Sequence, residues 1–320
     1  MITVRKYTTE DYTLWNTFVA TAKNATFLFH RDFMEYHQDR FTDYSLLCFK
    51  GDKLMAILPI NVVGNTVYSH QGLSYGGVLV NEKMRMEELM TIFSSFLFYL
   101  KKENIDYLNY KKPPFIYDEL EGLQVDNILF LLNAKLERTD AYLIVPKNTY
   151  LPNRNRKRAL KKANILNVEI KKGAFSAFWE KILIPNLQDR FKVKPVHSLT
   201  EILQLQSKFK NNIHCFTAHI DTEIKAGVIV FEYEDIVHFQ YSSGSDMRNE
   251  DGTLEYVFDY VAKQYLHKKY ISFGSSSENE GCKINKGLLY WKESFGAITI
   301  PQNFYGITTE NYKLLENVLK

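Results

Sequence analysis

Hydrophobic and polar positions along this chain switch between a period of two and a period near 3.6, and the order of the switches comes round twice. Ile2–Tyr7 alternates as a strand does. TTEDYTLWNTFVATA then puts Leu14, Phe18 and Val19 on one helical face behind a Thr9 N-cap, and HRDFMEYHQDRF reads as a second, short helix. A hairpin follows, YSLLCFK and LMAILPINVV about the turn GDK. The strand TVYSH then enters the glycine-rich turn QGLSYGGVLV. MRMEELMTIFSSFLFYLKK is a strongly amphipathic helix, and IDYLNY closes the half as a strand.

The second half runs in the same order. IHCFTAHID and KAGVIVFEYE form a hairpin about Thr222–Glu223, and IVHFQYSS is the next strand. GSDMRNEDG is a loop, LEYVFDYVAKQYLHKK the amphipathic helix and YISFG the closing strand. Strand, strand, strand, glycine loop, helix, strand, given twice, predicts a duplicated α/β unit. The turn-rich stretch PKNTYLP, Pro146–Pro152, separates the copies, giving an N-terminal domain over 1–148 and a C-terminal domain over 149–320. A length of 320 residues fits two cores better than one.

Composition narrows the function classes. With 45% apolar and 24% charged residues the chain reads as a soluble globular protein. Cys48, Cys215 and Cys282 are scattered and form no CxxC or Cys/His cluster, so neither a metal site nor a disulfide framework is expected. The N-terminus has no apolar core of a signal peptide, and LMTIFSSFLFYL is too short and too serine-broken to span a bilayer. A cytoplasmic location is expected. The net charge of +3 excludes a globally basic coat for DNA.

One segment departs from that balance. NRNRKRALKKAN, Asn153–Asn164, holds six basic residues and no acid. As a helix capped by Asn153 it puts Arg154, Arg158, Lys161, Lys162 and Ile165 on one face, while Ala159, Ala163 and Leu166 are free to pack inward. Arg154, Arg156 and Lys157 fall in the first turn, where the helix dipole disfavours each by about 0.3–1 kcal/mol. The run is either a solvated face or the contact for an anion. Among anions, a phosphate-bearing small molecule or a tRNA end needs only two or three well-placed cations, and Arg154, Arg158 and then Lys161 are the candidates.

The C-terminal stretch ISFGSSSENEGCKINKGLLYWKESFGA carries the most information. A strand ends at Phe273, the chain turns at Gly274 and again at Gly281, and a short helix runs from about Asn285 to Phe295 with Gly296 as its C′ residue. Leu288, Lys292 and Phe295 share a stripe, so Lys292 either snorkels outward or projects into a cleft to meet a negative charge. Glu278 on the loop is either a bracing carboxylate or a base. Tyr241, ending the VHFQY strand, is either a core tyrosine or a proton donor to a leaving group, and His238 lies on the same strand. Tyr75, beside Gly76–Gly77, marks either an ordinary turn or a place where a ligand nears the first domain's backbone.

The pattern FGxSxExxG followed by NxGLxxxKExFGA resembles the C-terminal cassette of FemAB-like proteins, on Phe273, Gly274, Ser276, Glu278, Gly281, Asn285, Gly287, Leu288, Lys292, Glu293, Phe295, Gly296 and Ala297. VHFQYSSGS, the AGVIVF hairpin, RNRKRALKKA and LSYGGVLV extend the likeness over most of the chain. The resemblance implies an α/β fold with mixed sheets in two tandem GNAT-like domains, the fold of acyl-CoA N-acyltransferases. It implies amide formation on bacterial cell-envelope precursors, with aminoacyl-tRNA or acyl-CoA as donor, and it gives the lysine of the cassette a role in charge stabilisation or phosphate binding. Two departures stand out. Neither GLSYGG nor GSDMRNEDG has the GxGxA-like spacing of a pyrophosphate loop, and Ala174–Ile213 is too short for a coiled-coil arm.

Three functions follow as expectations. The first is an N-acyltransferase with Lys292, Glu278 and Tyr241 as catalytic residues and Arg154, Arg158, Lys161 and Tyr75 as substrate contacts. The second is a degenerate member of the fold that binds a nucleotide-sugar or a partner without turnover. The third is an RNA-binding module using the basic helix. In the first, Arg158 and Lys292 converge on one anion.

Overall fold

The computed structural model describes residues 2–81, 83–118, 121–245, 251–316 and 318. The chain divides into two compact units, Met1–Asp140 with Pro301–Lys320, and Ala141–Ile300. The chain from Pro301, including most of the strand Ile298–Thr308, therefore groups with the first half, whereas the sequence pattern placed it in a domain over 149–320.

Unit 1 begins with β1 (Ile2–Lys6), α1 (Tyr12–Thr21), α2 (Arg31–Met34), β2 (Thr42–Asp43), β3 (Leu46–Lys50), β4 (Lys53–Leu58), β5 (Asn61–Val63) and β6 (Thr66–Tyr68). It continues with β7 (Leu79–Val80), α3 (Met86–Lys102), β8 (Tyr107–Lys111) and α4 (Glu121–Leu131). β9 (Lys135–Pro146) leads into unit 2, which holds α5 (Arg154–Ile165), β10 (Glu169–Lys172), α6 (Phe175–Phe178), α7 (Ile184–Phe191) and α8 (Leu199–Lys208). There follow β11 (Ile213–Ile220), β12 (Glu223–Glu232), β13 (Ile236–Gly244), α9 (Thr253–Gln264), β14 (Tyr270–Ser275), β15 (Ser277–Glu278), β16 (Lys283–Ile284), α10 (Lys286–Glu293) and β17 (Ile298–Thr308).

Within unit 1, β1-β3-β4-β7 form one sheet, and β17, β8, β6, β5 and β2 lie side by side in that order. α3 buries Leu89, Met90, Ile92, Phe93, Phe96, Leu97 and Leu100 in a core shared with β3, β4, β8 and α4. Each of those large side chains contributes about 1.5–3 kcal/mol on leaving water, enough to fix which face of the helix turns inward. In unit 2 the order is β10-β11-β12-β13-β14-β9. Val257, Phe258, Val261 and Ala262 of α9 cover the face formed by Val228, Val230, Val237 and Phe239. Among the described residues, the strand pairs within each unit are antiparallel except one. β6 pairs parallel with β8, across α3, and β13 pairs parallel with β14, across α9.

The expected elements are present with shifts at their ends. Thr8, not Thr9, caps a 3-10 turn ahead of α1, and Trp15 takes the inward place expected of Leu14, which is 39% exposed. The sequence pattern assigned no element to β9 or to β17, whose Phe304–Thr308 pairs with Tyr107–Lys111. Asp246–Glu250, the middle of GSDMRNEDG, lies outside the described residues.

The basic segment is a helix, and Asn153 caps it by accepting from the amides of Asn155 and Arg156. Its inward stripe is Arg156, Ala159, Leu160 and Ala163, while Leu166 stands 41% exposed. Arg156 belongs to that stripe because it lies three and seven residues before Ala159 and Ala163. Its guanidinium pairs with Glu255 of α9, its Nε donates to Ser294 Oγ at 2.6 Å, and it lies 5.6 Å from both the Trp291 and Phe295 rings. The Arg156 and Glu255 side chains are 13% and 2% exposed. Arg156→Met removes the cation paired with buried Glu255, so it is expected to lower unfolding free energy by about 3–5 kcal/mol, and Arg156→Met with Glu255→Met should recover much of that in urea titrations.

Candidate functional site

The site begins where a sheet parts. β13 and β14 pair over Ile236–His238 and Tyr270–Ser272 only. Beyond His238 and Ser272, β13 continues on β12 while β14 turns at Gly274, φ 69°, and pairs with β9. Among the described residues no backbone hydrogen bond joins the two strands past that point. Two parallel strands that separate this way turn backbone donors and acceptors toward the gap between them.

β13 also carries a bulge. Val230 opposes Phe239 and Ile229 opposes Tyr241, so Gln240 is the extra residue. His238 and Tyr241 are three apart, which strict alternation would put on opposite faces. The bulge returns them to one face, opposite Phe231 and Ile229. Gln240 hydrogen-bonds the side chains of both.

Polar groups gather at the parting point. His238 Nδ1 lies 2.8 Å from Ser272 Oγ, and Tyr142 Oη lies 2.8 Å from the same oxygen. A Cβ on Gly274 would sit 3.2 Å from His238 Cε1, so glycine permits both the turn and the approach of the ring. Lys292 Nζ donates to the carbonyls of Gly274 at 3.1 Å and Ser275 at 2.6 Å, and the residue is only 5% exposed. Burial moves its pKa down to about 7. Desolvation, with the nearby Lys292 charge second, moves His238 down to about 4.

α10 aims the lysine. Asn285 Oδ1 caps it by accepting from the Leu288 amide, and Asn285 Nδ2 donates to Glu278 Oε1 at 2.7 Å. Glu278 is exposed and braces the cap while lining a cavity of about 450 Å³. The cavity wall is largely apolar, with Leu254, Leu288 and Trp291. Asn186 Oδ1 and Trp291 Nε1, an acceptor and a donor, are buried in its lining residues without partners. Arg190 is the cation among the described lining residues.

The other predicted residues are spread out. Tyr241 is in the same polar chain, its hydroxyl 2.7 Å from His197 Nδ1 and its ring edge-on to Trp179. Arg154, Arg158 and Lys161 are exposed on α5. The expected convergence of Arg158 and Lys292 is absent: Arg158 stands in solvent, and Lys292 is held by carbonyls. The helix phase sends Arg156, not Arg158, to α10. Tyr75 is 1% exposed in the core of unit 1, stacked on Tyr117 at 4.4 Å with its hydroxyl 3.0 Å from Thr26 Oγ1, so it packs rather than facing a ligand. Sequence reasoning passed over Ser272, Tyr142 and Arg156 and set His238 aside. A signal for Arg156 was the alanine stripe that it shares.

Unit 1 repeats the parallel pair, Thr66–Tyr68 with Tyr107–Asn109, but closes the gap with its own chain. Ser69 N donates to Asn109 O at 2.9 Å, Lys111 N to Ser69 Oγ at 2.7 Å, and Gly76 N to Lys111 O at 3.0 Å. Lys111 Nζ donates to Leu73 O at 2.7 Å, and burial lowers its pKa to about 8.

Comparison with solved structures matches this architecture along nearly the whole chain. FemX aligns with TM-score 0.66 at 10% identity, covering 98% of this chain and 99% of that one. The chain shares its fold with FemX. The C-terminal domain of a putative lysylphosphatidylglycerol synthetase from Agrobacterium fabrum aligns at 0.55 and 10% identity, covering 96% and 95%. A tandem GNAT protein from the clavulanic acid biosynthesis pathway aligns at 0.53 and 8%, covering 97% and 99%. No family model matches the sequence, and no curated protein does. Like the tandem GNAT protein, then, the chain is an α/β protein built from two GNAT-like halves. Among the described residues no helix is long and apolar enough to cross a membrane, and no His/Cys/Asp/Glu group could hold a metal.

Lys292 titrates in the folded protein near 7, against 10.5 for a free lysine. Between those values the unfolded chain holds the extra proton, so stability rises with pH across the window. The urea midpoint of the wild type, relative to that of Lys292→Met, is expected to climb from pH 7 to 10.5. Carbon-detected NMR of the lysine ε-methylenes should show one titration near 7 that disappears in Lys292→Met, and one near 8 from Lys111.

Proposed function

We propose that the protein is an N-acyltransferase whose reaction takes place in unit 2, at the gap between β13 and β14. The observation that carries this is Lys292, a buried amine fixed on two carbonyls beside an opening between parallel strands. The acyl donor lies along the gap, its own amide groups meeting the backbone that the strands no longer give each other. Asn186 Oδ1 and Trp291 Nε1 suit the N–H and C=O of a donor arm in a largely apolar cleft. This favours an acyl thioester of the acyl-CoA kind over aminoacyl-tRNA. An acceptor phosphate would find Arg190 on the cavity wall.

Amide formation needs a neutral amine and a place for its proton. Neutral Lys292 spends two N–H bonds on Gly274 O and Ser275 O, leaving its lone pair to take that proton. Two groups beside the gap are candidates for the role, His238 and Lys292. His238, lowered to about 4, is too weak a base at neutral pH, whereas Lys292 at about 7 matches it. Once protonated, Lys292 gains a third N–H and a positive charge beside the developing oxyanion. The departing thiolate takes its proton back from Lys292, and Tyr241, which burial keeps protonated at neutral pH, is placed as a hydrogen-bond donor toward it at the end of the chain shared with Gln240 and His238. Glu278 holds the Asn285 cap and so positions α10.

Acyl-CoAs of graded length and aminoacyl-tRNA, each tried with amine acceptors, test the reading. Lys292→Met and Lys292→Arg are both expected to fold and to lose at least a hundredfold in kcat/KM, because a guanidinium cannot accept the proton. The wild-type profile should rise through about pH 7. Retained activity in Lys292→Arg would make the lysine a charge alone, and no transfer from any donor would leave a binding protein.

A further inference from the structure

We propose that unit 1 carries a binding site for a neutral, hydroxyl-rich ligand of monosaccharide size, held among Arg31, Glu35, Phe41 and His70. The observation is a second cavity, of about 490 Å³, lined by those residues together with Tyr7 and Gln38. It lies within unit 1, uses residues from HRDFMEYHQDRF and the turn that opens QGLSYGG, and takes no part in the acyl transfer described above.

The chemistry of the lining selects the ligand class. Arg31 is 3% exposed and lies 3.8 Å from the Tyr7 ring. Its Nε donates to Glu35 Oε1 at 2.9 Å and its Nη2 to Asp43 Oδ2 at 2.6 Å. Its Nη1 is shielded from water and has no hydrogen-bond partner. One guanidinium against two carboxylates leaves the cluster with a net charge of −1. A phosphate or carboxylate ligand would add like charge at close range, where repulsion is screened poorly. An apolar ligand would cover the polar rim without satisfying it.

His70 sharpens the choice. Its Nδ1 accepts from the Gly72 amide at 3.2 Å, and desolvation holds its pKa down to about 3, so the ring is neutral with its proton on Nε2. The site therefore offers a neutral donor in His70, amide groups in Gln38 and carboxylate acceptors in Glu35 and Asp43. Phe41 packs edge-on to His37 at 5.0 Å and to His70 at 5.8 Å, adding an apolar wall. A pyranose meets all of these at once: its hydroxyls both donate and accept, and one face of its ring is hydrocarbon.

The test is binding by the full-length chain, read by saturation-transfer NMR and calorimetry with no acyl donor present. It therefore stands or falls apart from the proposed transferase activity. The probes are free hexoses, 6-deoxyhexoses and N-acetylhexosamines, with inorganic phosphate as competitor. At least one pyranose is expected to bind. Phe41→Ala and Glu35→Gln should each weaken it tenfold or more, and Gln38→Ala, at an exposed side chain that folding does not need, at least threefold. Lys157→Ala on exposed α5 should change nothing. Failure of every pyranose to bind, displacement of the sugar by phosphate, or undiminished affinity in the Gln38, Glu35 and Phe41 variants would each overturn the assignment.

Discussion

A lysine amine buried on the carbonyls of Gly274 and Ser275 is the contact on which the candidate site depends. An ammonium ion out of water is costly, and burial lowers the Lys292 pKa until the neutral amine is accessible near pH 7. The two carbonyls make that placement tolerable and fix its direction. They are available because β14 turns at Gly274 and leaves its parallel partner. The turn frees the carbonyls, and the carbonyls hold the amine whose burial lowers its pKa.

That arrangement must be held from behind. α10 has eight residues, too few to be stable alone, and is kept in place by contacts at both ends. Asn285 caps its start and is braced by Glu278. At its end, Arg156 reaches from the basic helix to Ser294 and to Glu255, with the Trp291 and Phe295 rings alongside. One cation of a conspicuously basic run is therefore structural, while Arg154, Arg158 and Lys161 remain in solvent. The two GNAT-like halves differ in the same terms. Both part a parallel strand pair after three residues, but unit 1 satisfies the exposed backbone with Ser69 and Gly76 of its own chain. Among the described residues of unit 2, no such backbone contacts join the separated strands.

Local pattern was legible where one face of an element is apolar. α3, α9 and the hairpins follow from periodicity, since burial of several large side chains outweighs any alternative phase. The cassette from Phe273 to Ala297 was legible too, because its glycines and its Asn285 cap act over a few residues. Misreadings came where neighbours in space decide. Leu14 yielded to Trp15 in the core, Tyr75 was drawn in to stack on Tyr117, and β17 found its partner in β8 across almost two hundred residues of chain. His238 and Tyr241 share a face only because Gln240 bulges, which no alternation rule contains.

The sequence by itself determined the duplicated α/β order, the positions of the main helices and the identity of Lys292 as an anomalous cation on an apolar stripe. These depend on periodicity and capping, which act within a few turns of chain. Tertiary structure decided that Lys292 meets carbonyls rather than an anion, that Arg156 and not Arg158 turns inward, and that unit 1 closes its gap with Ser69 and Gly76. Each of those outcomes is a competition between groups far apart in sequence for the same buried donor or acceptor, and the winner is set by which strand or helix is packed beside it.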